Sequence, residues 1–103
     1  MPIRHPGQLA AASLLLALCA SAAAQPTRLG LCASCHGERG IATATSLPNL
    51  AGQNLEYLRS ALEQYRSGAR DVAAMRAALG MVSAADADAI LQWYAAQPPA
   101  DAK

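Results

Sequence analysis

The sequence contains no phenylalanine and only one tryptophan, although 53% of its residues are hydrophobic. Much of that hydrophobic share is alanine, a residue that favours helix over sheet. No segment alternates apolar and polar residues with the period of two that indicates a half-buried strand. The composition therefore predicts an all-α protein, and a length of 103 residues allows a single domain.

Charge is also scarce, since only 15% of the residues are charged and the formal net charge is +1. A balance this close to neutral is not that of a protein whose partner is a nucleic acid. No carboxylate pair, nucleophile or general base can be assigned from the pattern of residues. We therefore expect neither a nucleic-acid partner nor a small-molecule substrate, and we predict that the protein is not an enzyme.

The N-terminal segment contains the longest apolar run of the sequence. Residues 9–20 are rich in leucine and alanine, and the small residues at 22–24 fit the preference of signal peptidase. The run is shorter than the roughly 20 apolar residues of a spanning helix, which argues against a membrane anchor. A lipoprotein site at Cys19 is the weaker alternative, because a bulky leucine precedes it. We predict a signal peptide over 1–24, export to the periplasm, and a single domain over 25–103.

The sequence contains few cysteines and histidines, and those left after cleavage of the signal peptide lie within five residues of one another. Two cysteines and one histidine form a C-x-x-C-H run at residues 32–36. This spacing is the signature of c-type haem attachment, in which two thiols meet the two vinyl groups and the adjacent imidazole reaches the iron. We predict that Cys32 and Cys35 bind one haem c covalently and that His36 is an axial ligand of its iron.

Other uses of this motif fit the sequence less well. A structural zinc site needs about four ligands, and no second cysteine pair is present. A thioredoxin-type redox pair belongs beside a βαβ pattern, whereas no strand is predicted here. A disulfide between cysteines three residues apart would close a very small loop and gain little stability.

The first two predicted helices of the domain follow the motif. Leucines and a tyrosine recur at three- and four-residue steps within 54–67, with Asn54 as N-cap and Gly68 as the stop signal. A shorter helix is predicted over 71–79, capped by Asp71.

The final helix is predicted to begin at Ser83, with Asp86 three residues later as a variant of the capping box. Two prolines at 98–99 are expected to end it. Residues 41–52 are rich in residues that favour irregular backbone, and we predict a loop there. Residues 25–31 are too short for a helix to be predicted.

The sequence resembles the class I c-type cytochromes, especially the small periplasmic ones of bacteria. The likeness includes the motif with the glycine that follows it, then residues 48–53, 57–58, 68–70 and 82–95. The resemblance implies the class I cytochrome c fold, in which short helices pack around one covalently attached haem. It also implies that the backbone carbonyl of Pro48 bonds to the second ring nitrogen of His36, and that a helix before the motif crosses the last helix.

The axial position opposite His36 is expected to take a methionine. Cleavage leaves no second histidine, and the only lysine is the terminal Lys103, so Met75 and Met81 are the candidates. In the family that the sequence resembles, the ligand precedes the start of the last helix by several residues. This resemblance favours Met75 over Met81.

Two further groups of residues have expected roles, one beside the haem and one in the core. Arg66, Arg70 and Tyr65 are candidates for contacts with the haem carboxylates, although solvated arginines on a helix face are the commoner case. Trp93 and Tyr94 are expected to pack in the core.

Together these features predict a periplasmic one-electron carrier that acts as a monomer and docks briefly on a reductase and then on an oxidase. Two alternatives use the same haem. A gas-binding or sensor protein would need an open sixth position, and an electron-transfer subunit of a larger dehydrogenase would need a permanent apolar interface.

Overall fold

The computed structural model of the protein describes residues 24–100, so the predicted signal peptide lies outside it except for Ala24. This part of the chain contains four helices and no strand, which confirms the all-α class. None of the four is both long enough and apolar enough to cross a membrane. The helices are α1 (Leu29–His36), α2 (Leu55–Ser67), α3 (Ala73–Leu79) and α4 (Ala84–Ala95).

Helix α2 confirms the prediction for this segment. The Asn54 side chain accepts a hydrogen bond from the backbone N–H of Tyr57 at 3.0 Å, as an N-cap residue should. Gly68 ends the helix in the left-handed conformation, with φ of 86°. Leu58 and Ala61 are buried on the face that points to the centre of the molecule.

Helix α4 begins after Ser83, whose hydroxyl oxygen accepts the backbone N–H of Asp86 at 3.1 Å, so the predicted cap is confirmed. Ile90 and Tyr94 are the most deeply buried large side chains described, with exposed fractions of 2% and 0%. The helix ends at Ala95, before the prolines that were predicted to end it.

Helix α3 differs from the prediction at its start. It begins at Ala73 with Val72 as N-cap, and no side chain bonds to its first turn. The predicted cap, Asp71, pairs instead with the guanidinium of Arg76. No residue of α3 is fully buried, so this helix is held by less core packing than α2 or α4.

Helix α1 was not predicted, because only three of its residues precede Cys32 and no side chain caps it. It follows Arg28, which has a left-handed φ of 64°. Leu29 is buried and packs against Ile90 and Tyr94 of the last helix. The first and last helices therefore meet, as the resemblance implied, although the first extends only one turn ahead of the cysteines.

Helix α2 packs against both α3 and α4. An ion pair joins α2 to α4, since Arg59 donates two hydrogen bonds to the Asp88 carboxylate at 2.8 and 2.9 Å. These bonds hold the pKa of Asp88 at about 2, below its ordinary value of 3.8. Both side chains are partly exposed, so we expect the pair to align the helices more than to stabilise them.

Candidate haem-binding site

A cavity of about 450 Å³ lies between the helices, and most of the side chains around it are apolar. All four helices contribute to its wall, as does the loop between α1 and α2. The four residues predicted to hold the cofactor all lie on this wall: Cys32, Cys35, His36 and Met75.

Helix α1 supplies the two thiols. Residues three apart in a helix lie on neighbouring positions of one face, and Cys32 and Cys35 accordingly line the same cavity. Cys32 is half-buried and Cys35 is exposed. Burial raises the pKa of the Cys32 thiol above its ordinary value of 9.0, as expected for a group on an apolar wall.

His36 is the last residue of α1 and is buried, with 8% of its surface exposed. Its Nδ1 lies 2.9 Å from the backbone carbonyl oxygen of Pro48, the contact that the resemblance implied. Because a carbonyl can only accept, Nδ1 carries the proton and donates it. In the neutral imidazole this tautomer leaves the lone pair of Nε2 free to bind a metal.

The turn after His36 is closed by hydrogen bonds to the end of α1. The backbone N–H of Gly37, which has φ of 79°, donates to the carbonyl of Ala33 at 2.9 Å. Thr43 donates to the Cys35 carbonyl twice, through its backbone N–H at 3.1 Å and its hydroxyl at 3.2 Å. The loop therefore folds back on the helix that carries the motif.

The last helix also bonds to this turn. The Tyr94 hydroxyl donates to the carbonyl of Gly37 at 2.9 Å, and the Trp93 indole N–H donates to the carbonyl of Glu38 at 2.8 Å. Burial raises the pKa of Tyr94, so its hydroxyl keeps its proton and remains a donor. The sequence indicated packing roles for both residues, but it gave no sign of bonds whose acceptors are distant backbone carbonyls.

The two methionines differ in position. Met75 lies on α3, is half-buried, and lines the cavity. Met81 lies beyond the end of that helix with 59% of its surface exposed, and it is not among the residues that line the cavity.

Arg70 is the only residue with a permanent charge on the described cavity wall. Its guanidinium donates to Gln64 Oε1 at 2.7 Å and lies 5.9 and 5.6 Å from the ring centroids of Tyr57 and Tyr65. All these partners are neutral. Arg66, in contrast, pairs with Glu63 at 2.6 Å and lies away from the cavity. Of the three candidates for carboxylate contacts, Arg70 and Tyr65 therefore lie at the cavity and Arg66 does not.

These observations fit a covalently attached haem. The cavity is apolar, as a porphyrin requires; two thiols reach it from one helix face; and one buried imidazole is held by a carbonyl through the nitrogen that would not bind iron. Cys32 and Cys35 would hold the group, with His36 on one side of the iron and a thioether available from Met75.

Comparison with known proteins also indicates a haem-binding protein. Residues 27–99 match the family described as cytochrome c. Cytochrome c-554(548) of Halomonas halodenitrificans is 45% identical over 49 residues, which are 48% of this chain and 59% of that protein. The thiosulfate dehydrogenase electron acceptor of Thiomonas intermedia is 35% identical over 88 residues, or 84% of this chain and 41% of that protein.

A protein of the same name from Stutzerimonas stutzeri is 44% identical over 39 residues, which are 38% of this chain and 18% of that protein. The chain thus spans less than two thirds of the length of each of these relatives. The match of the family nevertheless covers most of the chain, including the C-x-x-C-H run and the last helix. The chain belongs to the cytochrome c family, whose members transfer electrons through covalently attached haem.

Proposed function

We propose that this protein is a periplasmic one-electron carrier with one haem c, held by Cys32 and Cys35 and ligated by His36 and Met75. The observation that carries the proposal is that one apolar cavity brings these four side chains together. When bound, the haem supplies an iron centre that alternates between the ferrous and ferric states.

The protein's own residues hold and tune that centre. Pro48 fixes the His36 ring through Nδ1, which strengthens the imidazole as an electron donor. A thioether opposite a histidine raises the reduction potential relative to two histidines. With both axial positions filled by side chains, no position is left for a substrate, and we propose that the protein is not an enzyme.

Covalent attachment is tested on the protein exported by a host that matures c-type cytochromes. The denatured protein should keep haem-dependent peroxidase staining on a gel, and its mass should equal the polypeptide plus one haem. Cys35→Ala should weaken attachment, whereas Ser34→Ala, between the two cysteines, should leave it unchanged. Extraction of the haem into acidic organic solvent would contradict the proposal.

The sixth ligand is tested with a matched pair of methionine variants. The oxidised protein should show the weak sulfur-to-iron absorption band in the near-infrared. Met75→Ala should abolish the band and lower the reduction potential, whereas Met81→Ala should keep both, because Met81 is exposed and away from the cavity. The reverse result would assign the ligand to Met81 and preserve the carrier.

The same spectra distinguish a carrier from a sensor. A ferrous protein with both axial positions filled should bind carbon monoxide slowly or not at all. Immediate binding by the unmodified protein, together with no near-infrared band, would replace the carrier with a gas-binding function.

We further propose that the electron donor is a dehydrogenase of the periplasm, because two relatives are named as electron acceptors of thiosulfate dehydrogenase. The predicted signal at 1–24 places the protein in that compartment, and intact mass of the exported protein tests cleavage after Ala24. Purification at low and high salt separates two modes of association. A free carrier elutes as a monomer in both conditions, whereas a dehydrogenase subunit stays with its partner.

A further inference from the structure

The orientation of His36 depends on a single acceptor outside its own helix. Its Nδ1 bonds to the carbonyl of Pro48, which lies in the C-terminal half of the loop 37–52. The position of that carbonyl depends on the hydrogen bonds that hold the loop.

Tyr94 contacts this loop at both ends. Its hydroxyl donates to the carbonyl of Gly37 at 2.9 Å, and its backbone carbonyl accepts the N–H of Gly52 at 3.0 Å. Between these points the ring lies against Gly40, where an added Cβ would come within 3.0 Å of Tyr94 Cδ1.

Gly40 in turn closes the inner part of the loop. Its carbonyl accepts the N–H groups of Leu50 and Ala51 at 2.8 and 3.1 Å, so the segment that contains Pro48 is bounded by these bonds. Asn49 adds a further restraint, since its side chain accepts the N–H of Ala42 at 2.7 Å. Hydrogen bonds within the loop thus connect the residues that Tyr94 contacts to the segment that contains Pro48.

We propose that Tyr94 is a positioning residue for the axial ligand His36, because it fixes both ends of the loop whose carbonyl holds the imidazole. The proposal rests on the proposed function in one respect, namely that His36 is the ligand. It goes further by assigning to the hydroxyl of Tyr94 a role that packing does not explain.

A phenylalanine at 94 would fill the same core space. A hydroxyl gains nothing from burial unless it finds an acceptor, and that of Tyr94 finds one in the residue directly after His36. Trp93 supports the adjacent carbonyl of Glu38, so two consecutive residues of α4 hold two consecutive carbonyls of the loop.

Loss of the hydroxyl should loosen the His36–Pro48 bond without removing either partner. The Nδ1 proton of His36 should then exchange with solvent faster. The imidazole should also donate less electron density to the iron, which raises the reduction potential. These two readouts report the ligand itself, whereas a change in core packing alone would move only the stability.

The experiment compares haem-loaded Tyr94→Phe with Ser83→Ala, using nuclear magnetic resonance for proton exchange and electrochemistry for the potential. Ser83→Ala removes the N-cap of the same helix, away from the loop, and so lowers stability without touching the proposed device. Tyr94→Phe should speed exchange of the His36 Nδ1 proton by about three- to tenfold, the effect of one neutral hydrogen bond. Ser83→Ala should leave both readouts close to those of the unmodified protein.

Gly52→Ala gives a second test at the other end of the loop. Gly52 has φ of 70°, and an added Cβ would lie 3.0 Å from Pro99 Cδ, so the substitution should displace this end. Gly52→Ala should speed exchange of the His36 Nδ1 proton and raise the reduction potential, as Tyr94→Phe should. If Tyr94→Phe gives too little haem-loaded protein, Gly52→Ala serves in its place.

Unchanged exchange and potential in Tyr94→Phe, or equal changes in Ser83→Ala, would overturn the proposal. Failure of the proposed function looks different. If His36 were not the ligand, the unmodified protein itself would lack the paramagnetically shifted imidazole signals of an iron-bound histidine.

Discussion

The two sides of the cavity are built with different numbers of restraints. The histidine side consists of α1 and the loop 37–52, and hydrogen bonds donated by His36, Thr43, Trp93 and Tyr94 hold it. The methionine side consists of residues 68–82, which include α3. That helix has no fully buried residue and no side-chain cap.

The comparison indicates that the segment around the proposed ligand His36 is held by more hydrogen bonds than the segment around the proposed ligand Met75. Local stability in a protein follows buried contacts and protected hydrogen bonds, both of which are denser on the histidine side. The covalent bonds proposed for Cys32 and Cys35 also fall on that side. The methionine side is then the part of the site that can open while the rest stays folded.

The largest effect should come from adding one methyl group on the histidine side. In Gly37→Ala the new Cβ would lie 1.9 Å from the Ile41 carbonyl oxygen at φ of 79°, a clash with backbone that cannot relax cheaply. We expect a loss of about 3 kcal/mol or more in the free energy of unfolding, or no folded protein. Thermal or denaturant unfolding of the haem-loaded protein measures it.

The matched substitution on the methionine side is Gly80→Ala. Gly80 has φ of −66°, and the nearest atom to an added Cβ is 3.5 Å away. We expect a change between zero and about 1 kcal/mol in the stabilising direction, because alanine restricts the unfolded chain. Equal destabilisation by Gly37→Ala and Gly80→Ala would contradict the expected difference between the two sides of the cavity.

Denaturant should separate the two sides in the unmodified protein. The near-infrared band of the proposed Met75 ligand should disappear at a lower guanidinium concentration than the haem-quenched fluorescence of Trp93 recovers. The reason is that α3 can detach without disturbing the bonds between α4 and the loop. Coincident transitions would show that the two sides unfold as one unit.

Removing the charge from the methionine side should have a smaller effect. Arg70→Gln takes a cation from the cavity wall, which should stabilise ferric iron and lower the reduction potential by on the order of tens of millivolts. The shift should shrink as salt rises. Arg66→Gln removes an equal charge that is paired with Glu63 and lies away from the cavity, and it should shift the potential less.

The smallest effect should come from the ion pair between α2 and α4. Because the pKa of Asp88 is about 2 when folded and 3.8 ordinarily, the pair adds stability above about pH 4 that is lost as the pH falls through 2. Asp88→Asn should therefore lower the melting temperature slightly at pH 7 and less at pH 2. A larger loss at pH 2 than at pH 7 would have the wrong sign.

The sequence predicted the helices that carry both an apolar face and a capping side chain. Asn54 and Ser83 cap α2 and α4 as expected, because the signals for these helices are local. The predicted start of α3 was wrong, since Asp71 pairs with the Arg76 side chain instead of capping the helix. Helix α1 was missed because its stability comes from Leu29 packing on the last helix, a contact between distant parts of the chain.

The same distinction applies to the site. Cys32, Cys35 and His36 could be proposed from the sequence because they form one short motif with specific chemistry. Elimination left Met75 and Met81 as candidates, and only the resemblance to a family favoured Met75.

The contact between His36 and Pro48 was implied by the resemblance, whereas the bonds from Trp93 and Tyr94 were not predictable. The bond from Tyr94 joins residues 57 positions apart and ends on the backbone carbonyl of Gly37. Because every residue has a backbone carbonyl, the residue type at position 37 gives no sign of this bond.

That separation also sets an order of events when the protein is made. A chain that emerges from its N terminus exposes the C-x-x-C-H run long before α4 exists, because Gly37 must wait for a partner 57 residues later. Until then the turn after the motif is held only by bonds to nearby residues, such as those from Thr43 to the Cys35 carbonyl. We therefore expect the bonds from α4 to be the last to form around the motif.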